Sequence, residues 1–129
     1  MRPPPALVVG PVTRTDLVRY QGASGDMNPI HHDEPWAQAA GFKAPIVLGM
    51  FTAGLVATWA VDWLGADNVR SCRSRFAARV FPGDTLTCCG DVVRRYAVDG
   101  EQRVDLELAA TTQNGEVAVR GWMTFVVPT

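Results

Sequence analysis

The sequence predicts an α+β fold in which a curved antiparallel sheet wraps around one long central helix. First, residues 44–61 contain no charged side chain and form the longest uncharged stretch of the chain. Second, after Gly65 the spacing of apolar residues changes to two, which is the period of half-buried strands. Third, a chain of 129 residues with 47% apolar and 19% charged residues suits one globular domain, residues 1–129.

Two short helices are expected before the long one. Thr13 can cap the first helix, with Asp16 three residues later as in a capping box. Asp33 can cap the second helix, and Gly41 can end it. The segment GDMNP between the two helices breaks regular structure, so we expect a loop there.

The long apolar helix is expected from about Gly49 to Leu64, and it would span roughly 24 Å at 1.5 Å per residue. The uncharged stretch is at the lower limit of a membrane span. Glycines and threonines interrupt it, Pro45 stands near its start, and no basic cluster flanks Asp62 at its end. We therefore expect a helix that is buried on all sides within a domain.

At least four antiparallel strands should follow the long helix. They are expected in residues 68–78, 85–96, 103–110 and 117–127. Tight turns are expected at three sites, where Pro82-Gly83-Asp84 joins the first two strands and Asp99-Gly100 and Asn114-Gly115 separate the later ones. An apolar helix and a one-sided sheet bury each other. This arrangement is the hotdog fold.

The edge strands of the predicted sheet have consequences for the oligomeric state. Only about a dozen residues precede the first helix, so any strand there should be short. A single open sheet also leaves an edge strand unpaired. Pairing the edges of two copies would give a continuous sheet, and we therefore expect a homodimer or a larger assembly.

The net charge argues against nucleic-acid and membrane partners, and the cysteine content argues against disulfide bonds. The formal net charge is -1, from 12 basic and 13 acidic residues, so no field of one sign attracts nucleic acid or an anionic membrane. The three cysteines are an odd set with two adjacent members, a poor disulfide framework, and they are Cys72, Cys88 and Cys89. We expect reduced thiols in a cytoplasmic protein. The N-terminal residues also lack the apolar region of a signal peptide.

The segment SGDMNPIHHD, residues 24–33, contains both histidines of the chain. A turn would explain Asn28 and the proline after it, but it would not explain the imidazoles. Asp26 can orient a nearby imidazole, and histidine is the usual general base near neutral pH. Because adjacent side chains diverge, we expect His31 to lie in the site and His32 to be solvated or structural. Asn28 could hold a water molecule between Asp26 and His31.

The start of the long helix, Leu48-Gly49-Met50, is a second candidate. The first N–H groups of a helix have no internal acceptor and suit a developing oxyanion. Gly49 has no side chain to keep a substrate carbonyl away. Close packing of the helix against the sheet would explain the glycine equally well, so both interpretations stay open.

Residues 20–50, YQGASGDMNPIHHDEPWAQAAGFKAPIVLGM, resemble the signature of MaoC-like dehydratases, the type 2 or (R)-specific enoyl-CoA hydratases. The pattern Ser-Gly-Asp-x-Asn-Pro-Ile-His is much more specific than any pair of residues within it. Residues 76–86, FAARVFPGDTL, resemble a later segment of the same family. The resemblance covers nearly the whole chain and is dense from about residue 13 to 56. It implies a hotdog fold.

The resemblance also implies roles for individual residues. Asp26 and His31 match the catalytic dyad that positions and activates water, and Asn28 matches a polar residue that helps to hold it. Gly49, between Leu48 and Met50, matches the position whose N–H meets the thioester oxygen. The implied reaction is reversible addition of water to a trans-2-enoyl thioester of CoA or a carrier protein, giving a (3R)-3-hydroxyacyl thioester. It needs no metal or redox cofactor.

Two departures and two alternatives accompany this hypothesis. Leu48 stands where many relatives have histidine, which would alter substrate preference or rate if that histidine contributes. Some relatives are heteromers in which one subunit has lost its dyad. This chain keeps its dyad, so it would act as a homodimer or as the catalytic half of a related heteromer. The alternatives are a hotdog acyl-CoA thioesterase, which would release free thiol, and a non-catalytic acyl-thioester-binding subunit.

Aromatic and basic side chains allow two further interpretations. Four aromatic residues suit the core better than an acyl tunnel, and they are Trp36, Phe51, Trp59 and Trp63. Four arginines could meet the phosphates of a CoA or carrier-protein arm, and they are Arg70, Arg73, Arg75 and Arg79. For the arginines we favour the solvated face of a strand.

Overall fold

The computed structural model describes residues 1–128 and has the predicted combination of helices and an antiparallel sheet. The α-helices are α1 (Arg14–Ser24), α2 (Glu34–Ala39) and α3 (Gly49–Leu64). Single turns of 3-10 helix lie at Pro29–His31 and Ala66–Asn68. The strands are β1 (Leu7–Val9), β2 (Val69–Phe76), β3 (Leu86–Val98), β4 (Glu101–Thr112) and β5 (Val117–Val127).

Local capping signals placed the helix starts correctly. The Thr13 hydroxyl accepts a hydrogen bond from the N–H of Asp16 at 3.1 Å, and the Asp16 carboxylate accepts one from the N–H of Thr13 at 2.8 Å. The Asp33 carboxylate caps α2 by accepting from the N–H of Trp36 at 3.0 Å. Helix α2 ends at Ala39, two residues before Gly41. The predicted bounds of α3 are confirmed.

The sheet has the order β1-β3-β4-β5-β2, and all neighbouring strands are antiparallel. Strand β1 has three residues, as the short N-terminal segment predicted. Asp99 and Gly100 form the tight β3–β4 turn, both with positive φ (53° and 75°). Asn114-Gly115 lies in a longer connection, residues 113–116, between β4 and β5.

The prediction that a tight turn joins β2 directly to β3 is wrong, because these two strands are not neighbours in the sheet. Strand β2 pairs with β5 at one edge of the sheet, whereas β3 lies between β1 and β4. Short connections keep β3, β4 and β5 adjacent, and β1 pairs with the other side of β3, so the free side of β5 remains for β2. Residues 77–85, which include Pro82-Gly83-Asp84, therefore cross from that edge to β3.

The core lies between α3 and the concave face of the sheet. Buried residues alternate along β4, and they are Val104, Leu106, Leu108 and Ala110. Helix α3 contributes Val56 and Trp59 to the same cluster. A Cβ at Gly121 of β5 would lie 3.3 Å from Val56, so the glycine permits close contact between sheet and helix. A register shift near Val92 in β3 is the kind of irregularity that bends a sheet.

Helix α3 is not buried on all sides, so that prediction is wrong for the single chain. One stripe of the helix is exposed at intervals of four residues, and it contains Met50, Gly54, Thr58 and Asp62. The opposite face supplies Ala53, Val56 and Ala60 to the core. Apolar composition did not reveal the open side because two of the stripe residues are glycine and threonine. Within residues 1–128, no helix has the length and hydropathy to cross a membrane.

The aromatic residues divide between core and surface. Trp59 is buried, and its indole N–H donates to the carbonyl of Pro5 at 2.9 Å. Phe51 and Trp63 are partly buried against the core. Trp36 is 56% exposed, so the core interpretation is wrong for this residue. It lies on the short helix α2, which buries Ala37 instead.

Three of the four arginines, Arg70, Arg73 and Arg75, are exposed on β2, as the solvated-face interpretation expected. Arg79 is exposed too, but it lies beyond the end of β2, so its placement on a strand is wrong. Arg70 donates to the Glu101 carboxylate at 2.7 Å. Hydrogen bonds from Arg70 and then Arg103 lower the pKa of the Glu101 carboxyl to about 2. Arg73 stacks over the Trp122 ring on the outer face of the sheet, 4.7 Å from its centroid. These contacts tie β2 to the rest of the sheet.

Gly90 provides a test of the β3–β4 register, in which it is opposite Leu108. A Cβ at Gly90 would overlap the carbonyl oxygen of Glu107 and the side chain of Leu108. Gly90→Ala should therefore lower the free energy of unfolding by about 1–3 kcal/mol, the usual cost of overpacking, in urea denaturation. Gly22→Ala is the matched control because nothing lies within 4 Å of a Cβ there. Undiminished stability of Gly90→Ala would contradict the register.

Candidate active site

The loop between α1 and α2 is built from short turns that its own side chains stabilise. Gly25 ends α1 with φ of 78°, a conformation that favours glycine. The Asp26 Oδ1 atom accepts from the N–H of Asn28 at 3.2 Å, and the Asn28 Oδ1 atom accepts from the N–H of Ile30 at 3.1 Å. Asn28 thereby caps the 3-10 turn that begins with Pro29 and ends at His31.

His31 is buried, and the environment of its ring fixes the position of its proton. The Nδ1 atom lies 2.7 Å from the carbonyl oxygen of Ile46. A carbonyl can only accept, so Nδ1 carries the hydrogen, and in the neutral ring Nε2 has a free lone pair. Nε2 lies 3.8 Å from Oδ2 of Asp26, whose side chain is 52% exposed. The structure therefore brings together the two residues of the predicted dyad.

The chain entering α3 is fixed against this loop. The N–H of Ile46 donates to the carbonyl of Ile30 at 3.1 Å, and its own carbonyl accepts from His31. The next residue, Val47, donates to the carbonyl of Val80 at 2.8 Å. Because Gly49 follows two residues later, these bonds set the start of α3 in a fixed relation to the His31 ring.

The start of α3 presents backbone N–H groups ahead of the first intrahelical bonds. The N–H groups of Phe51 and Thr52 both point to the carbonyl of Leu48, at 3.0 and 3.5 Å. Those of Gly49 and Met50 precede these bonds and carry the positive end of the helix dipole. A Cβ at Gly49 would lie 3.0 Å from the Phe76 ring. The glycine therefore makes room for Phe76, and its role toward a ligand stays a prediction.

One cavity of about 310 Å³ joins the loop to the helix start. Asp26 lines it together with residues 46–50, Phe76 and Arg79. The Arg79 guanidinium stacks over the Phe42 ring, 4.7 Å from its centroid. A larger groove of about 410 Å³ on the outer face of the sheet is lined by residues that include Arg73, Asp105 and Trp122. It contains no residue of the predicted dyad or of the start of α3.

The remaining residues named from the sequence are Asn28, Leu48, Met50 and His32, and their contacts are mainly with the protein itself or with solvent. The Asn28 Oδ1 atom is engaged in the cap, so a bond to water would fall to Nδ2. Leu48 lines the cavity but is 2% exposed and belongs to the core, whereas Met50 is exposed. His32 is exposed, and its Nδ1 donates to Oε1 of Gln21 at 3.0 Å. This contact agrees with the structural interpretation of His32.

Sequence reasoning missed Gln21 and the backbone of Ile46. Gln21 lies in the last helical turns of α1 and is 1% exposed. Its Nε2 donates to the carbonyls of Asp26 at 3.0 Å and Asn28 at 3.2 Å. A glutamine on a mostly polar helix gave no signal for burial. The Ile46 contact uses a main-chain carbonyl, which the residue type does not reveal.

A curved sheet around one helix, with an imidazole and a carboxylate beside the helix start, defines a hotdog domain with a candidate acid–base site. The sequence matches the MaoC-like domain family over residues 4–114, and the chain belongs to that family. The resemblance stated from the sequence is thus confirmed.

Relatives and solved structures agree with this membership. Enoyl-CoA hydratase ChsH3 of Mycobacterium tuberculosis is 34% identical over 119 residues, which are 90% of this chain and 39% of that protein. R-hydratase PhaJ1 of Pseudomonas aeruginosa superposes with a TM-score of 0.83 at 25% identity, covering 95% of this chain and 78% of that one. The ChsH1–ChsH2 complex of Mycobacterium tuberculosis gives 0.81 at 25% identity, covering 96% and 94%.

The length of this chain differs from that of its curated relatives. It spans between 27% and 39% of the length of the first curated relatives that it matches.

Proposed function

We propose that this chain is an (R)-specific hydro-lyase that adds water reversibly to trans-2-enoyl thioesters. The observation behind the proposal is the separation of 3.8 Å between His31 Nε2 and Asp26 Oδ2, beside the cavity at the start of α3. The names of two similar proteins, enoyl-CoA hydratase ChsH3 and R-hydratase PhaJ1, support this reaction class.

The spacing of the dyad suits one water molecule. A separation of 3.8 Å is too long for a direct hydrogen bond between Nε2 and the carboxylate. Both atoms are acceptors when the ring is neutral and the carboxylate is ionised, and water has two hydrogens to donate. A water bonded to both would direct an oxygen lone pair away from them, toward a substrate in the cavity. His31 Nε2 would take the proton as the oxygen attacks C3.

The start of α3 would stabilise the charge that develops during attack. As the bond to C3 forms, electron density moves to the thioester oxygen, and a proton from the dyad then reaches C2. The Gly49 N–H would donate to that oxygen at the positive end of the helix. The reverse sequence removes the C2 proton and expels the C3 hydroxyl as water. Asn28 would support the water through its Nδ2 group.

The thiol arm of the substrate would leave the cavity past basic side chains. Arg79 lines the cavity and stacks over the Phe42 ring, and Lys43 is the next residue of the chain after Phe42. Both cations suit the phosphates of CoA or of a carrier-protein arm. The acyl thioester, bound to CoA or a carrier protein, is therefore the proposed substrate class.

The dyad is tested by three single substitutions and one double substitution. Asp26→Asn keeps the shape but removes the acceptor charge, and His31→Ala removes the base. Each should slow hydration by about 10² to 10⁴, the range for general acid–base catalysis. The double variant should be little worse than the poorer single variant, because the pair acts as a unit. His32→Ala should stay within a few-fold of wild type.

The assay is the loss of enoyl absorbance with a trans-2-enoyl-CoA, and a thiol reagent detects any thioester hydrolysis in the same reaction. Circular dichroism checks that each variant is folded. An inactive His32→Ala beside an active His31→Ala would reverse the assignment of the histidines. Full activity in both Asp26→Asn and His31→Ala would end the hydratase hypothesis, and thiol release without hydration would replace it with a thioesterase.

Gly49→Val tests the helix start. The side chain would crowd the thioester oxygen, so turnover should fall by about 10² to 10³, the usual cost of losing an oxyanion donor, and more than stability does. Phe76 complicates the result because it already contacts this position. Phe76→Ala in the Gly49→Val background removes the ring. Turnover in the double variant equal to that of Phe76→Ala alone would assign Gly49 to packing, whereas a further loss beyond that of Phe76→Ala alone supports the oxyanion role.

We propose further that the working unit is a homodimer or a related heteromer. Phe76 and Met50 line the cavity and are 55% and 60% exposed, so a single chain leaves apolar walls of the site in water. The outer edge of β2 is also available for pairing, since β2 is the last strand of the sheet. The similar solved structure of ChsH1–ChsH2 is that of a complex, which supports the heteromeric form.

Light scattering at micromolar concentration tests the assembly. We expect a mass of at least twice the 14.0 kDa of one chain. A mass of one chain alone would contradict the homodimer. A stable complex that forms only with a second, co-expressed family member would select the heteromer.

A further inference from the structure

The buried side-chain amide of Gln21 bonds to three residues of the loop between α1 and α2, and they are Asp26, Asn28 and His32. Its Nε2 group donates to the carbonyls of Asp26 and Asn28, at 3.0 and 3.2 Å. Its Oε1 atom accepts from Nδ1 of His32 at 3.0 Å. The side chain belongs to α1, so the helix is bonded directly to both ends of the segment that holds the dyad.

The orientation of this amide follows from its partners. The two carbonyls can only accept, so the nitrogen must face them, and the oxygen must face His32. Both N–H hydrogens and the oxygen are therefore engaged. A buried amide with satisfied partners contributes modestly, but its removal takes the donor from the Asp26 carbonyl and the acceptor from His32 Nδ1. The Asn28 carbonyl would keep only the N–H of His31.

We infer that Gln21 is a positioning residue for the Asp26–His31 dyad. The amide holds the main chain through the carbonyls of Asp26 and Asn28, and the Asn28 carbonyl also accepts from the N–H of His31. The bonds to these carbonyls carry the positioning, so His32→Ala leaves it in place. The amide thereby fixes the distance between Asp26 Oδ2 and His31 Nε2 without touching the substrate. This inference rests on the proposed hydration, because its measurable effect is on the rate of that reaction.

Positioning predicts a loss of turnover that exceeds any loss of substrate binding. A misplacement of about 1 Å by a residue remote from the chemistry can cost on the order of 10²-fold in rate. Gln21→Met has nearly the same shape and removes all three hydrogen bonds. It should lower kcat by about 10- to 100-fold while KM changes by less than about three-fold. Gln38→Met is the matched control, since Gln38 is exposed on α2.

Gln21→Glu adds a readout that a purely structural residue would not give. The ionised carboxylate can accept from His32 but cannot donate to either carbonyl, whereas the protonated carboxyl can donate to one of them. The ratio of its kcat to the wild-type kcat should therefore rise as the pH falls. Division by the wild-type kcat removes the pH dependence that the two proteins share. The other titratable groups beside position 21 are His32 and Asp26.

The experiment measures kcat and KM of enoyl-CoA hydration for the intact protein across pH, below the melting temperature of every variant. Wild-type kcat in a folded Gln21→Met, or a pH-independent ratio for Gln21→Glu, would overturn the positioning role. If Gln21→Met does not fold, the Gln21→Glu ratio decides, and failure of both to fold would assign Gln21 to stability alone. An inactive wild type would instead count against the proposed function.

Discussion

The site depends on the hydrogen bond from His31 Nδ1 to the carbonyl oxygen of Ile46, 2.7 Å long. This bond sets which ring nitrogen carries the proton, and it directs Nε2 toward Asp26. It also joins the loop after α1 to the segment that leads into α3. A buried imidazole without such a partner would cost free energy, so the bond serves both stability and orientation. The proposed base and the helix start thus share one fixed frame.

The relative position of the loop and the start of α3 is set mainly by core packing and main-chain hydrogen bonds, and few specialised side chains are needed. The sheet and α3 bury an apolar core, which fixes the direction of the helix. Main-chain groups of Ile30, Ile46 and Val80 then hold the loop and the helix start together. Each of these bonds contributes only about 1 kcal/mol net, so their value lies in geometry more than in stability. Asp26 and His31 then need only short side chains to meet beside the cavity.

Local signals in the sequence predicted much of this structure. The capping residues Thr13 and Asp33 placed helix starts, and Asp99-Gly100 placed a tight turn. These features succeed because a cap or a turn depends on residues within a few positions. The dyad was predicted in the same way, since Asp26 and His31 are close in sequence and lie on one loop.

Features that depend on distant contacts were missed. The open stripe of α3, the position of β2 beside β5 and the exposure of Trp36 follow from topology, which periodicity does not encode. Gln21 was missed because its partners are main-chain carbonyls and one imidazole across a loop. Residue types show which groups can bond, but only the folded chain shows which of them meet.

The tautomer of His31 is the most direct test of this account, and nitrogen NMR can measure it. His32→Ala leaves a single imidazole in the chain, so assignment is unambiguous. At alkaline pH, where an imidazole is neutral, the account predicts a protonated Nδ1 and a bare Nε2 for His31. A His31 ring protonated at Nε2 would contradict it, because the nitrogen that faces Asp26 would then have no lone pair with which to accept a proton from water.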